Sequence, residues 1–215
     1  MQLNREIRQE AADNILFILT GSIGLPTLAE KMSVTETIND LNIFEIKPLE
    51  VDEAKNLTEL LLKEGKIPYE PDAIGYMLNK LEWFSPYHIQ LLVQEFADQF
   101  DLKNKPVTKA SVDEAFSAVT DRRNDANFAH YFERLKKTFS EQELEFASEL
   151  LKQLSRMAET DTAYIESLAR QKQVAENYRF VVRSLEFDGY IFRNSEGKYR
   201  FTSPILRLWW EKYVF

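Results

Sequence analysis

The sequence contains no cysteine. That removes disulfide frameworks, thiol nucleophiles and cysteine-based zinc sites together. Histidine is nearly absent: His88 and His130 alone cannot build a histidine-rich metal centre, so no metal ligand is assigned. Glycine and proline are scarce, six and seven in 215 residues, which predicts long helices and few tight turns. No long hydrophobic run exists near the amino terminus. Ile15-Leu16-Phe17-Ile18-Leu19 is far shorter than the roughly 20 residues a membrane-crossing helix needs. Met1 to Arg8 carries charge where a signal peptide requires an apolar stretch. No membrane partner is expected, and a cytoplasmic location is. Positive charge is also in deficit, 27 Lys and Arg against 35 Asp and Glu, for a net charge of −8. Such a chain has no broad electrostatic grip on nucleic acid, which leaves only a local basic face as a candidate.

What is present suffices for a folded protein. Hydrophobic residues make up 44% and aromatic residues 13% of the chain, enough to bury an ordinary core without covalent staples. The opening segment reads as helix. Ile15 to Leu19, a continuous apolar run with polar ends, predicts a strand buried on both faces. Thr20-Gly21-Ser22-Ile23-Gly24-Leu25-Pro26 reads as a turn. Ser33 and Glu36 make a weak capping-box pattern, and Ile43-Phe44-Glu45-Ile46 resembles a second short strand stopped by Pro48.

After Pro48 the period becomes helical. Val51, Ala54, Leu57, Leu60 and Leu61 form one stripe, with Asp52 and Glu53 in the first turn where the helix dipole favours anions. Gly65 and Pro68 close it. A second helix is expected from about Pro71 to Trp83. A third begins at Ser85-Pro86 with a stripe of Ile89, Leu92, Val93, Phe96 and Phe100, and a fourth is capped by Thr108 or Ser111. Asp121 to Asn127 is the most polar stretch, and residues 121–138 are expected to link this four-helix unit to the next.

Ser140-Glu141-Gln142-Glu143 is a strong capping box opening a helix with Leu144, Ala147, Leu150, Leu151 and Leu154 inward. Asp161-Thr162 starts a short helix, and Val174 to Leu185 gives a third stripe ended at Gly189. Tyr190 to Arg193, the turn Asn194 to Gly197, and Lys198 to Phe201 predict a β-hairpin. Three helices followed by a hairpin is the order of a winged-helix domain, a relative of the helix-turn-helix. Ser203-Pro204 to Phe215 is an aromatic-rich end expected to dock.

Four features in sequence order carry a resemblance. They are a buried strand ending in Thr-Gly-Ser-Ile-Gly-Leu, a strand ending in Lys-Pro-Leu, a helical unit containing Ser-Pro-Tyr-His-Ile-Gln-Leu-Leu, and a winged helix ending in Ser-Pro-Ile-Leu-Arg-Leu-Trp-Trp. Together they resemble the carboxy-terminal part of prokaryotic, archaeal-type AAA+/STAND-like ATPases. The resemblance implies a mainly α fold: residues 1–48 as a two-strand remnant of a nucleotide-binding α/β core, 49–120 as a helical lid-like domain, 121–138 as linker and 139–215 as winged helix. The parent family binds ATP or ADP with Mg. This chain lacks the phosphate-holding Walker A loop: its Gly-Lys pairs, Gly65-Lys66 and Gly197-Lys198, have neither the preceding glycine nor the following Ser or Thr. The Walker B strand is absent as well. The chain is therefore expected to be a non-catalytic fragment that needs no cofactor of its own.

The resemblance assigns Thr20 and Ser22 to a sensor position, where a hydroxyl can bond phosphate or water without adding charge. It assigns Pro86 and His88 to the lid segment that approaches nucleotide, at a helix amino terminus with free amides. In the winged helix, Arg179, Arg183, Arg193, Lys198 and Arg200 are the candidate DNA contacts. From Ser140 onward, however, 12 acidic residues face 11 basic ones, so protein contact is the favoured role. The expected partners are the missing ATPase core or another protein. The two predicted strands, 15–19 and 43–47, are expected to pair with each other or with a second chain. The rival readings are a winged-helix transcriptional regulator with a helical sensing or dimerisation region, and a protein-binding helical adaptor.

Overall fold

The structure is a computed structural model and describes residues 2–10, 16–19, 24–44, 46–121 and 124–214. It is mainly helical. The helices are α1 (Gln2–Glu10), α2 (Leu25–Lys31), α3 (Val51–Glu64), α4 (Ala73–Leu81), α5 (Pro86–Lys103), α6 (Lys109–Val119), α7 (Ala126–Thr138), α8 (Glu141–Met157), α9 (Thr162–Gln171), α10 (Tyr178–Phe187) and α11 (Pro204–Tyr213). The strands are β1 (Glu159–Thr160), β2 (Ile191–Arg193) and β3 (Tyr199–Phe201).

Local chemistry explains most helix starts. The Glu50 N–H donates to the Glu53 carboxylate at 2.9 Å, part of the capping box of α3. The Ser140 N–H does the same with Glu143 at 2.9 Å for α8. Thr108 and Ser111 cap α6 reciprocally, Asp161 accepts from the Tyr164 N–H at 2.8 Å, and Ser203 accepts from the Leu206 N–H at 3.2 Å. Each cap satisfies an amide that the first turn leaves without an intrahelical partner. Pro86 opens α5 from its first turn, where its missing N–H costs nothing.

Helices α3 to α6 pack around Ala54, Leu62, Met77, Leu81, Ile89, Leu92, Phe96, Val112 and Phe116, all buried. The C-terminal unit wraps α8, α9 and α10 around a small antiparallel sheet in the order β1-β3-β2. Glu159 faces Arg200 across β1 and β3, and Phe192 faces Arg200 across β2 and β3. Gly189 and Gly197 sit at φ +76° and +80°, at the entry to β2 and in the hairpin turn, where a side chain would be strained. One continuous apolar core runs from Ala54 to Trp210 and joins the two units.

The structure adds β1, which the sequence reading did not expect, starts α10 at Tyr178 and not at Val174, and departs further in three places. Leu16–Leu19, Ile43, Phe44, Ile46 and Lys47 form no strand, while Ile15 and Glu45 lie outside the described residues. The α/β remnant with two strands is thus not present among the described residues. A strand needs a neighbour to take its backbone groups, and two short runs make at best a marginal ribbon. Leu25 and Pro26, expected to complete a turn, instead open α2, because proline is at home in a first helical turn. The stretch expected as a linker contains α7, which carries Phe128 and Leu135 fully into the core.

Tyr190 gives a direct measure of how the units are joined. Its hydroxyl, fully buried, donates to the Tyr131 carbonyl of α7 at 2.7 Å. Tyr190→Phe removes this second hydrogen bond from a carbonyl that lies within α7, and we expect a loss of about 1 kcal/mol, read as a lower urea midpoint with unchanged slope.

Candidate functional site

The polar features that bind distant parts of the chain converge where α4 and α5 meet the C-terminal unit. α4 ends at Glu82, whose backbone takes φ +54°, a conformation rare for a side-chain-bearing residue. That turn aims the Glu82 carboxylate at the β3 residue Arg200, 2.7 Å away. Six residues after Glu82, the first turn of α5 carries His88. Its Nδ1 lies 3.3 Å from the Ser203 hydroxyl at the start of α11. The rings of Tyr87 and Phe128 flank it at 6.0 and 6.2 Å. Further along α11, the Trp209 indole N–H donates to Asp125 at 2.8 Å, and Lys212 donates to the Thr120 hydroxyl at 2.8 Å.

His88 is 2% exposed, and its Nε2 makes no hydrogen bond among the described residues. Burial pushes its pKa down from 6.5 to about 4, so the imidazole is neutral at ordinary pH. Ser203 accepts from the Leu206 backbone amide and shares one hydrogen bond with Nδ1, whose donor is set by the histidine tautomer. The Ser203–His88 pair has the atoms of a nucleophile and a base. Both groups are sealed in the core, however, so the pair acts as a bolt between α5 and α11. His88 therefore has no solvent-facing surface for a nucleotide. Pro86 is exposed at the start of the same helix, and Thr20 and Ser22 lie outside the described residues.

The five candidate DNA contacts fall on two elements, Arg179 and Arg183 on α10, and Arg193, Lys198 and Arg200 on the hairpin. Three of them are already paired with carboxylates. Arg183 meets Glu30 of α2 at 2.8 Å, Arg200 meets Glu82, and Lys198 meets Glu159 and, at 3.6 Å, Glu196. Arg179 donates to the Tyr178 hydroxyl at 3.1 Å, and Arg193 donates to the Gly197 carbonyl at 3.0 Å. Arg193 and Arg200 also lie over the Tyr199 and Phe192 rings, each 5.7 Å from the centroid. Glu30, Glu82, Asp125 and Ser203 were not singled out as site residues from sequence. Only Ser203, as a Ser-Pro helix start, carried a local signal.

Two open grooves are also present. One, of about 670 Å³, runs between α3 and α4 and is lined by Val51, Lys55, Tyr69, Ile74 and Leu78. The other, of about 390 Å³, lies between α7 and α11 beside Asp125, Phe132, Trp209 and Tyr213. Among the described residues no cluster of three or more acidic or histidine side chains is arranged to hold a metal ion, and no helix is long and apolar enough to cross a membrane. Comparison with protein-family models and with curated proteins finds no match for this chain.

The His88 environment fixes a pH dependence. The folded pKa lies below the unfolded value, so folding releases protons as pH falls below 6.5. Stability from the neutral imidazole is complete above about pH 6.5 and declines as pH falls toward 4, by a total on the order of 3 kcal/mol. Urea unfolding at pH 7.5, 6, 5 and 4 should show this decline, and His88→Gln should flatten the part of it that belongs to this residue.

Proposed function

We propose that this chain is a non-catalytic regulatory and protein-interaction module, the lid-like and winged-helix part of an AAA+/STAND-like ATP-binding protein. The observation that carries the reading is the antiparallel β1-β3-β2 sheet packed with α8, α9 and α10, the strand and helix order of a winged helix. Its attachment to α4 and α5 adds support. The buried His88–Ser203 contact links the first turn of α5 to the start of α11, and the exposed Glu82–Arg200 pair links the preceding turn to β3.

In such a module the lid-like helices would follow nucleotide held by another part of the protein, and the winged helix would report the change by altering its contacts. A partner is consistent with the surface. Leu16, Ile18, Phe44 and Ile46 are exposed at 85%, 79%, 88% and 97%, and apolar side chains displayed this fully favour burial against another protein. That partner would be an ATPase core, another protein, or a second chain pairing with residues 15–19 and 43–47.

The rival reading is a DNA-binding transcriptional regulator. It draws on Arg179 and Arg193, whose partners are a hydroxyl and a carbonyl and not carboxylates. Ion pairing of the other three basic residues favours the protein-interaction reading. Two measurements test the proposal. Purified chain should hydrolyse no ATP, and calorimetric titration should give dissociation constants for ATP and ADP no tighter than about 1 mM, or −4 kcal/mol. Micromolar nucleotide binding or enzyme-like turnover would overturn it. Duplex DNA binding by the unaltered chain that weakens steeply between 50 and 200 mM salt would favour the rival.

A further inference from the structure

Helix α2 is tied to the outer side of α10 by side-chain contacts at its two ends. Its amino-terminal end is fixed at the carboxy-terminal end of α10, where the Gly24 N–H donates to the Asp188 carboxylate at 3.3 Å. Gly24 also sits so close to the Phe187 ring that a Cβ there would stand 2.2 Å from it. At the other end, Glu30 pairs with Arg183, one helical turn back along α10. The two ends of α2 therefore meet α10 in reverse order, Gly24 at its carboxy-terminal end and Glu30 one turn earlier. Lys31 continues the attachment, donating to the Thr138 carbonyl at the end of α7 and lying 4.0 Å from Glu143. Ala29 of α2 is fully buried.

We propose that α2 is an autoinhibitory strap: its Glu30 occupies Arg183 on α10 and keeps that face from the phosphates of a nucleic-acid duplex. The inference rests on the winged-helix part of the proposed function, in which α10 takes the place of the helix that enters the major groove. A carboxylate on an arginine is a fair substitute for a phosphate oxygen, since both accept charge-assisted bonds from the same guanidinium. The strap is built to come away. Arg183 and Glu30 are 64% and 50% exposed in their side chains, and exposed ion pairs hold weakly and weaken further with salt. Arg179 lies one turn earlier on α10 and is exposed, so release would present two arginines at i and i+4.

The test uses the full chain and a 20-base-pair DNA duplex of arbitrary sequence. Gly24→Val forces a side chain into the Phe187 contact without changing net charge, and Glu30→Gln removes the ion pair. Hydrogen exchange over residues 25–31 should quicken in both, and duplex affinity at 50 mM salt should rise at least fivefold. Adding Arg183→Gln to Gly24→Val should cancel the gain, while Glu64→Gln, a like charge change on α3, should produce none. The strap is overturned if exchange over α2 stays unchanged in both variants, if loosened variants bind duplex no better than the parent, or if the gain survives loss of Arg183. Loosened variants that fail to bind DNA would leave the regulatory-module reading intact. Nucleotide turnover would defeat that reading without bearing on the strap.

Discussion

The molecule depends on the seating of the first turn of α5 between α7 and α11. His88 is buried there against Phe128 with Ser203 as its partner, and the surrounding apolar side chains belong to one core that crosses from the helical unit into the sheet-bearing unit. Burial of that area is non-directional and supplies most of the adhesion. The polar contacts around it decide the orientation. Trp209 to Asp125, Tyr190 to Tyr131 and Lys212 to Thr120 each satisfy a group that desolvation would otherwise penalise.

The same junction explains why a non-glycine residue sits at positive φ. The chain must reverse between α4 and α5 in the few residues from Glu82 to Ser85. Glu82 takes the strained position and its side chain is retained by Arg200. A glycine would relax the backbone but lose the carboxylate that holds β3. The conformational cost, about 1–3 kcal/mol for such a residue, is offset by the surrounding fold and in part by that ion pair.

Much of the fold was legible because helix ends announce themselves chemically. Ser140 with Glu143, Thr108 as one of two alternative caps, and Ser85-Pro86 marked starts that the structure has, and the turn Asn194 to Gly197 marked the hairpin. α7 was obscured by its own entry: the polar run from Asp121 masked a helical stripe of Phe128, Tyr131, Phe132 and Leu135 spaced at i, i+3, i+4 and i+7. α2 was hidden because Gly24-Leu25-Pro26 reads as turn chemistry. The apolar runs near residues 16 and 44 carry strand-like side chains, but period and composition cannot supply a neighbouring strand. The junction was least legible. Its pairs, Glu82 with Arg200 and His88 with Ser203, are separated by more than a hundred residues, and no local pattern encodes a contact at that distance.

Helix α5 has 18 residues, so it is about 27 Å long. One end is clamped beside α11, while the other reaches α6, where Lys103 meets Glu114 at 2.6 Å. Between those ends it is packed along its length against α3 and α6, so a tilt of some five degrees at its first turn amounts to a displacement of about 2 Å at the far end that those neighbours must follow. Displacements of that size suffice to make or break a side-chain contact, and a close-packed core passes them on, so rocking at the base of α5 is felt through the whole four-helix unit.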